Sequence, residues 1–290
     1  MKTALLGCGR WGRRLLRALA AHPAYEIAAV VDPSPVARAE AAPFTPIAVA
    51  HLDDAPRVDA IFIATPSPLH AAHAEAALAR DAHVFVEKPL AMRRADAERL
   101  VHQAATLPTP RVAMVGHVLR FDPRVLAFVA ALRAGHVGEL RHIRAERFTQ
   151  SGSPDPLWTL APHDVATLHA IDPSPVVAVQ THDLARPTTL GLTFASGLQA
   201  EIAVATQGDH PRRQMRARGT DGLLVLDELR SQEQGPTALQ RELDHFARCV
   251  HEGNEPLTSF REGLAVVTVL EAAARATPLR AGSVGSSTPR

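Results

Sequence analysis

The segment TALLGCGRWG, residues 3–12, decides the fold of the N-terminal half of the chain. Its first four residues, Thr3–Leu6, form a short apolar run of the kind that becomes a buried strand. Three glycines follow at the spacing G-x-G-x-x-G, and Trp11–Ala21 then carries leucines at helical spacing. The segment therefore predicts a strand, a glycine-rich loop and a helix in direct succession.

The three glycines have separate tasks in a loop that binds a dinucleotide. Gly7 permits the tight turn, Gly9 lets the backbone approach a pyrophosphate, and Gly12 lets helix and strand pack closely. The unpaired N–H groups at the helix start would face the phosphates. We predict that the whole loop contacts the cofactor, namely Gly7, Cys8, Gly9, Arg10, Trp11 and Gly12. Within it, Cys8 is expected to be a small loop residue rather than a reactive thiol.

An acidic residue lies at the end of the next predicted strand. Asp32 follows the apolar run Glu26–Val31, about 20 residues after the glycine loop, where a carboxylate that bonds the ribose hydroxyls is expected. A carboxylate there repels a 2′-phosphate, which favours NAD over NADP. Ser34 and Arg38 lie close enough in sequence to contact a 2′-phosphate, so NADP stays open.

Strand-like and helix-like runs alternate through the first half of the chain and give way to strand-like runs separated by short turns. The alternation predicts a parallel sheet with helices on both faces. Turns such as Ser196-Gly197 and Asp221-Gly222 favour antiparallel hairpins in the second half. The fold class is therefore α/β, with an N-terminal Rossmann domain at residues 1–117 and a C-terminal α+β domain, with a mostly antiparallel sheet, at residues 118–290.

Composition excludes several classes of protein. The formal net charge of the 290-residue chain is +1, and it has no long run of basic residues, so no nucleic-acid surface is indicated. No apolar stretch approaches the ~20 residues of a membrane helix. The two cysteines, Cys8 and Cys249, form no disulfide framework and no zinc-ligand spacing. We expect a cytoplasmic protein that binds no metal.

Five motifs, taken together, resemble the glucose–fructose oxidoreductase/inositol dehydrogenase (Gfo/Idh/MocA) family. The likeness covers nearly the whole chain, and the tryptophan in the glycine loop and the Gly-His-x-x-Arg-Phe run look most like the nucleotide-sugar dehydrogenase branch. At about 290 residues the chain is shorter than expected for this family. The motifs are GCGRWG at Gly7–Gly12, ATPSPLH at Ala64–His70, EKPLA at Glu87–Ala91, GHVLRFDP at Gly116–Pro123 and LAPHD at Leu160–Asp164.

The resemblance implies further cofactor-binding residues in the Rossmann domain. Thr65 and Pro66 match the loop that lies along the nicotinamide side of the cofactor. His70 begins the next helix near that loop, and it could equally be a capping residue. Glu87 matches the end of the catalytic strand, where it would orient neighbouring groups.

Lys88 matches the catalytic residue of the family, at a Lys–Pro peptide that is commonly cis, and it is also expected to bind the cofactor. A half-desolvated lysine near the positively charged nicotinamide should have a lowered pKa. It could then take the hydroxyl proton of an alcohol as hydride leaves the adjacent carbon. The alternative is a surface lysine at a strand end.

His163 matches the second catalytic position, and the family pattern Asp-x-x-x-His places Thr159 where an aspartate is usual. This departure leaves a hydrogen-bonding group where a carboxylate would hold the imidazole; Asp164 or Asp155 could compensate. Trp158, beside this position, could stack on a sugar or base, or pack in the core.

Arg120 completes the predicted substrate-binding residues, which are Lys88, Arg120, Trp158, Thr159 and His163. Arg120 could bind a substrate phosphate or carboxylate, or pair with an acid at a domain interface.

The resemblance implies an NAD(P)-dependent oxidoreductase that acts on a sugar, cyclitol or nucleotide sugar, with one face of its second sheet available for a homodimer or homotetramer. Two alternatives remain: a glycoside hydrolase that retains its NAD, and a dinucleotide-binding sensor without catalysis.

Overall fold

The computed structural model describes residues 1–153, 155–183, 187–207, 210–228 and 235–276. Within these residues the chain forms two compact units. The first unit comprises residues 1–127, 165–167 and 235–271, and the second comprises residues 128–164, 168–228 and 272–276. The domain boundary placed after residue 117 stays a prediction.

The first unit is built on a six-stranded sheet in the order β3-β2-β1-β4-β5-β6, with every strand pair parallel. Its strands are β1 (Lys2–Leu6), β2 (Glu26–Val31), β3 (Ala48–Val49), β4 (Ala60–Ile63), β5 (His83–Glu87) and β6 (Ala113–Gly116). The strand order turns back beside β1, so the loop after β1 lies at the point where dinucleotides bind in such sheets.

Eight helices accompany the strands in the described part of the chain. They are α1 (Arg10–Ala20), α2 (Pro35–Ala41), α3 (His70–Ala79), α4 (Arg94–Thr106), α5 (Pro123–Arg133), α6 (Pro156–Ile171), α7 (Ala238–Glu252) and α8 (Phe260–Arg275). None of the helices in the described ranges is long and apolar enough to cross a membrane.

Aromatic packing joins α7 to the middle of the parallel sheet. Phe62 of β4 stacks on Phe85 of β5 with ring centroids 5.0 Å apart. Phe246 of α7 contacts both rings, at 5.1 Å and 5.9 Å. All three side chains are fully buried. Helix α7 therefore belongs to the core of the first unit, although it comes more than 120 residues after β6 in the chain.

The second unit contains a six-stranded sheet in the order β12-β11-β7-β10-β9-β8. Its pairs are antiparallel except β7 with β10, which are parallel. The predicted fold class, a Rossmann domain followed by an α+β domain with a mostly antiparallel sheet, is confirmed. The strands are β7 (Leu140–Phe148), β8 (Val176–Asp183), β9 (Thr188–Phe194), β10 (Gln199–Ala205), β11 (Arg212–Gly219) and β12 (Leu223–Asp227).

A buried ion cluster ties β7 to α6 and to the end of β12. The guanidinium of Arg147 donates to both carboxylate oxygens of Asp164, at 2.9 and 3.0 Å. It also donates to both oxygens of Glu228, at 2.7 and 3.0 Å. All three side chains are at most 7% exposed. One planar guanidinium thus satisfies two carboxylates from different elements.

We expect Arg147→Met to destabilise the protein strongly, because it leaves the carboxyls of Asp164 and Glu228 buried without their cation. The loss should be roughly 3–5 kcal/mol in the free energy of unfolding, measured by urea denaturation. The matched control is Arg141→Met, which breaks an ion pair with Glu139 whose side chains are well exposed. That change should stay within about 0.5 kcal/mol of the parent. Equal effects of the two substitutions would contradict the role given to the cluster.

Candidate functional site

A cavity of about 540 Å³ opens at the carboxyl ends of β1, β2 and β4, and it lies wholly within the first unit. Seven of its lining residues are predicted cofactor-binding residues: Gly7, Gly9, Arg10, Trp11, Asp32, Thr65 and Pro66. His51, Leu52 and His73 are among those that the sequence analysis did not select. The cavity therefore places the glycine loop, Asp32 and the loop between β4 and α3 around one space. We call this last loop, residues 64–69, the third loop.

The glycine loop has the geometry that its sequence predicts. Gly7 has a φ of +87°, and a Cβ there would lie 2.6 Å from the carbonyl oxygen of Ala64. A Cβ on Gly12 would lie 2.0 Å from the carbonyl oxygen of Gly7. A Cβ on Gly9, in contrast, would meet no described atom within 4 Å. Gly7 and Gly12 thus serve packing, whereas Gly9 keeps open the space that a pyrophosphate would need.

Asp32 faces the cavity and also holds the glycine loop. One carboxylate oxygen accepts the backbone N–H of Cys8 at 2.7 Å, and the other accepts that of Ser34 at 2.9 Å. Each oxygen keeps a second lone pair for a hydroxyl donor. Cys8 itself is buried, and burial followed by the charge of Asp32 raises the pKa of its thiol. These residues fit a dinucleotide, with Asp32 available to the ribose and Cys8 in a backbone role.

Ser34 and Arg38, the two residues that could contact a 2′-phosphate of NADP, make other hydrogen bonds in the structure. Arg38 Nη1 donates to the carbonyl oxygens of Asp32 and Pro33, each at 2.8 Å. The Ser34 hydroxyl accepts the N–H of Ala37 and so caps α2. These contacts hold both side chains against backbone groups, so they do not support a 2′-phosphate site.

His70 lies beneath the third loop. Its ring is 1% exposed; Nδ1 lies 2.6 Å from the carbonyl oxygen of Pro89, and Nε2 lies 2.8 Å from that of Thr65. Burial lowers the pKa of His70, although both carbonyl contacts act in the opposite direction. His70 therefore positions the loop against the residues that follow β5. His73, whose Nδ1 is 3.0 Å from the Thr65 hydroxyl, lines the cavity instead.

The end of β5 is joined to the glycine loop by a partly buried hydrogen bond. The indole N–H of Trp11 donates to Oε1 of Glu87. Burial raises the pKa of Glu87 to about 7, while the bond from Trp11 and the charge of Lys88 lower it. The Arg14 guanidinium lies over the Trp11 ring, 5.1 Å from its centroid. The predicted orienting role of Glu87 thus has a defined partner in Trp11.

Lys88 directly follows Glu87 at the carboxyl end of β5, and its side chain is half-buried. The Lys88–Pro89 peptide is cis, as the resemblance predicts. Lys88 therefore sits at the same edge of the sheet as the glycine loop, one residue beyond the carboxyl that holds Trp11.

Arg120 is buried and donates hydrogen bonds to other groups of the protein. It is 6% exposed, and its Nη1 donates to the carbonyl oxygen of Ala166 at 3.1 Å and to Glu262 at 3.4 Å. All of these residues belong to the first unit. Of the two roles left open for Arg120, the structure favours pairing with an acid.

The remaining predicted residues lie on α6 in the second unit. Asp155 caps this helix by accepting the N–H of Trp158, and Thr159 exchanges a hydrogen bond of 2.8 Å with Ser153. His163 is half-buried, one turn after Thr159. Asp164 binds Arg147, so neither of the two nearby aspartates is arranged to replace the missing carboxylate beside His163. The roles of Trp158, Thr159 and His163 in substrate binding stay predictions.

No cluster of metal-ligating side chains occurs within the described ranges. The parallel sheet, the glycine loop at its switch point and the acid after β2 define a dinucleotide-binding Rossmann domain.

Comparison with known proteins identifies the type of the N-terminal domain. Residues 1–117 match the Gfo/Idh/MocA model, described as an oxidoreductase family with an NAD-binding Rossmann fold. The chain is 29% identical to the UDP-N-acetylglucosamine 3-dehydrogenase of Acidithiobacillus ferrooxidans, over 79% of this chain and 74% of that protein. It is 34% identical to the inositol 2-dehydrogenase of Streptomyces avermitilis, over 47% of this chain but only 41% of that protein. The N-terminal domain is thus an NAD-binding Rossmann domain of the Gfo/Idh/MocA type, and the chain is an NAD-binding oxidoreductase similar to these dehydrogenases.

The similarity of fold extends over both units. The crystal structure of scyllo-inositol dehydrogenase from Lactobacillus casei with bound NAD(H) and scyllo-inositol matches with a TM-score of 0.85. The match covers 95% of this chain and 96% of that chain at 17% identity.

We expect Gly9→Ala to separate folding from cofactor binding. The added methyl meets no described atom of the chain, so the melting temperature should stay close to that of the parent. The methyl occupies the space that we assign to the pyrophosphate, so NADH affinity should fall at least about tenfold, or ~1.4 kcal/mol. Energy transfer from tryptophan to NADH measures the affinity. Gly12→Ala is the control, because its methyl meets backbone and should lower the melting temperature itself; unchanged NADH binding by Gly9→Ala would refute the assignment.

Proposed function

We propose that the protein transfers hydride between a nicotinamide cofactor and a ring carbon that bears a secondary hydroxyl, in a sugar, cyclitol or nucleotide sugar. Lys88 is the proposed general base in the oxidation and the general acid in the reverse direction. His163 is the proposed second catalytic group. The substrate class rests on the relatives, which act on UDP-N-acetylglucosamine and on inositol.

The hydrogen bond from Trp11 to the buried carboxyl of Glu87 carries the proposal. It fixes the end of β5 to the glycine loop, so the residue after Glu87 is held at the edge of the sheet where the dinucleotide binds. That residue is Lys88. A positioned amine at this edge is what removal of a hydroxyl proton requires.

Lysine is rare in this chain, which distinguishes Lys88 from most of its cationic residues. Lys2 and Lys88 are the two lysines among 31 lysine and arginine residues. Arginine stays protonated at all working pH values, whereas a lysine can release its proton and then act as a base. A sequence that places arginine at almost every cationic position, yet lysine at the end of β5, fits a requirement for proton transfer there.

Bound NAD⁺ supplies an acceptor for the hydride of the substrate carbon. The chain supplies the proton path: neutral Lys88 takes the hydroxyl proton at Nζ, and the electron pair of the O–H bond forms the second bond of the product carbonyl. The C–H electron pair leaves as hydride, so the alcohol becomes a ketone and Lys88 becomes an ammonium. In the reduction, Lys88 returns this proton to the alkoxide oxygen.

NAD is the proposed cofactor rather than NADP. The Asp32 carboxylate adjoins the ribose position and would repel a 2′-phosphate. Arg38, the nearest cation in sequence, is engaged with two backbone carbonyls.

The named relatives are dehydrogenases, so they do not favour the two alternatives, a hydrolase that retains its NAD and a sensor without catalysis. A homo-oligomeric state and a cytoplasmic location stay predictions.

Substitution of Lys88 by methionine tests the proposal. We expect Lys88→Met to lower the rate of NAD⁺ reduction with myo-inositol, scyllo-inositol or UDP-N-acetylglucosamine at least about 100-fold. NADH affinity should change little, because Lys88 does not line the nucleotide cavity. Lys2→Met is the matched control, since Lys2 is exposed at the start of β1, and it should keep the parent rate. Normal turnover by Lys88→Met, with cofactor bound, would contradict the proposed role.

A further inference from the structure

Glu242 is a buried acid that neither the sequence motifs nor the proposed mechanism uses. It lies on α7 and is 0% exposed. Neither of its carboxyl oxygens has a hydrogen-bond partner among the described residues. Burial of an unpaired carboxyl opposes folding, and an apolar side chain of similar size would be more favourable there. A chain that keeps such a group at a stability cost usually needs it for function.

The packing of α7 on β5 places Glu242 beside Glu87. Phe246 of α7 and Phe85 of β5 are in ring contact, with centroids 5.9 Å apart. Glu242 lies one helical turn before Phe246, on the same face of α7. Glu87 lies two residues after Phe85, on the same face of β5. Each acid therefore lies one step along its own element from the phenylalanine contact, close enough for the charge of Glu87 to act on the Glu242 carboxyl.

The neighbouring strand leaves room for this pair. Gly116 of β6 is in register with Glu87. A Cβ on Gly116 would lie 3.1 Å from Cδ of Glu87 and 2.9 Å from the ring of Phe85. Glycine at this position thus permits Phe85 and Glu87 to lie on the face that α7 covers.

Electrostatics determine which carboxyl of the pair ionises first as the pH rises. Burial, followed by the charge of Glu87, raises the pKa of Glu242 well above its usual range. Glu87 ionises first, since its pKa is about 7, and the groups that favour its charge are the Trp11 indole from α1 and Lys88 at the end of β5. The proton therefore stays on Glu242, and the negative charge on Glu87.

We propose that Glu242 is a positioning residue of the hydride-transfer site: the dipole of its protonated carboxyl, without a direct hydrogen bond, favours the Glu87 carboxylate that holds Trp11 and adjoins Lys88. The inference deepens the proposed function and rests on it for the role of Lys88. Through Glu87 and Trp11, the protonation state of the Glu242 carboxyl on α7 thus influences the glycine loop.

The test compares two substitutions of Glu242 in a Trp158→Phe background, where Trp11 is the single tryptophan. Glu242→Gln keeps a neutral donor of nearly the same shape. Glu242→Leu removes the donor but keeps the volume, and Glu242→Met serves if the leucine variant folds poorly. Trp11 fluorescence of the free protein is followed from pH 5 to 9, and Glu87→Gln shows whether the transition belongs to Glu87.

In the background protein, Trp11 fluorescence should change with a midpoint near the pKa of Glu87, which is about 7. Glu242→Leu should move the midpoint upward by about one pH unit, which is a tenfold change in the ionisation equilibrium. Glu242→Gln should leave it nearly unchanged, and Glu87→Gln should abolish the transition. Equal midpoints in all Glu242 variants, equal shifts in glutamine and leucine variants, or a transition that survives Glu87→Gln would each overturn the proposal.

Stability provides a second readout with a defined sign. A carboxyl with a raised pKa in the folded state keeps its proton while the unfolded chain releases it, so the parent loses stability as pH rises above the usual pKa of glutamate. Glu242→Leu lacks this proton, so it should be more stable than the parent, by a margin that widens between pH 5 and pH 8. A margin that is constant over this range would show that Glu242 is not held protonated, and would overturn the proposal.

Failure of the inference can be told apart from failure of the proposed function. The fluorescence midpoint and the stability margin need neither substrate nor turnover. If the hydride-transfer proposal is wrong, no variant oxidises a cyclitol or sugar, yet the Glu242→Leu midpoint still shifts. If only the inference is wrong, the Glu242 variants share one midpoint while Lys88→Met still loses turnover.

Discussion

The site depends on one hydrogen bond, from the indole N–H of the half-buried Trp11 to the buried carboxyl of Glu87. Trp11 lies in the first turn of α1, which directly follows the loop after β1, and Glu87 ends β5, two strands away in the sheet. The bond ties the glycine loop to the end of β5. His70 does the same for the third loop, because its ring spans the carbonyl oxygens of Thr65 and Pro89. Both loops are therefore fixed to the residues that flank Lys88.

The charges around Lys88 act in opposite directions. The Glu87 carboxylate favours the ammonium form of Lys88, whereas the positive nicotinamide of NAD⁺ favours the neutral amine. Because the pKa of Glu87 is about 7, its negative charge is incomplete at neutral pH. The protonation state of Glu87 therefore sets both the strength of its hydrogen bond from Trp11 and the charge that Lys88 meets.

The sequence predicted the parallel sheet and its glycine loop well because their signals are local, but it placed α7 in the C-terminal domain. The glycine spacing, the acid after β2 and the Lys–Pro motif each lie within a few residues. It missed β7, the central strand of the second sheet, because Arg147 and its charged neighbours interrupt the apolar pattern. Arg147 is nevertheless buried, since two carboxylates that lie 17 and 81 residues away surround it. Glu242 escaped prediction for the same reason: its importance comes from packing against a strand more than 150 residues earlier.

The protonation state of Lys88 is the measurement that tests the central claim most directly. With two lysines in the chain, ¹⁵N-lysine labelling gives two side-chain signals, and Lys2→Met assigns them. A pH titration of the protein with NAD⁺ bound then reports Lys88 alone. The account predicts that Lys88 titrates clearly below the ordinary lysine value of about 10.4, and that removal of NAD⁺ moves the titration upward. A Lys88 signal that stays an ammonium up to the ordinary value, with and without NAD⁺, would contradict its role as the base.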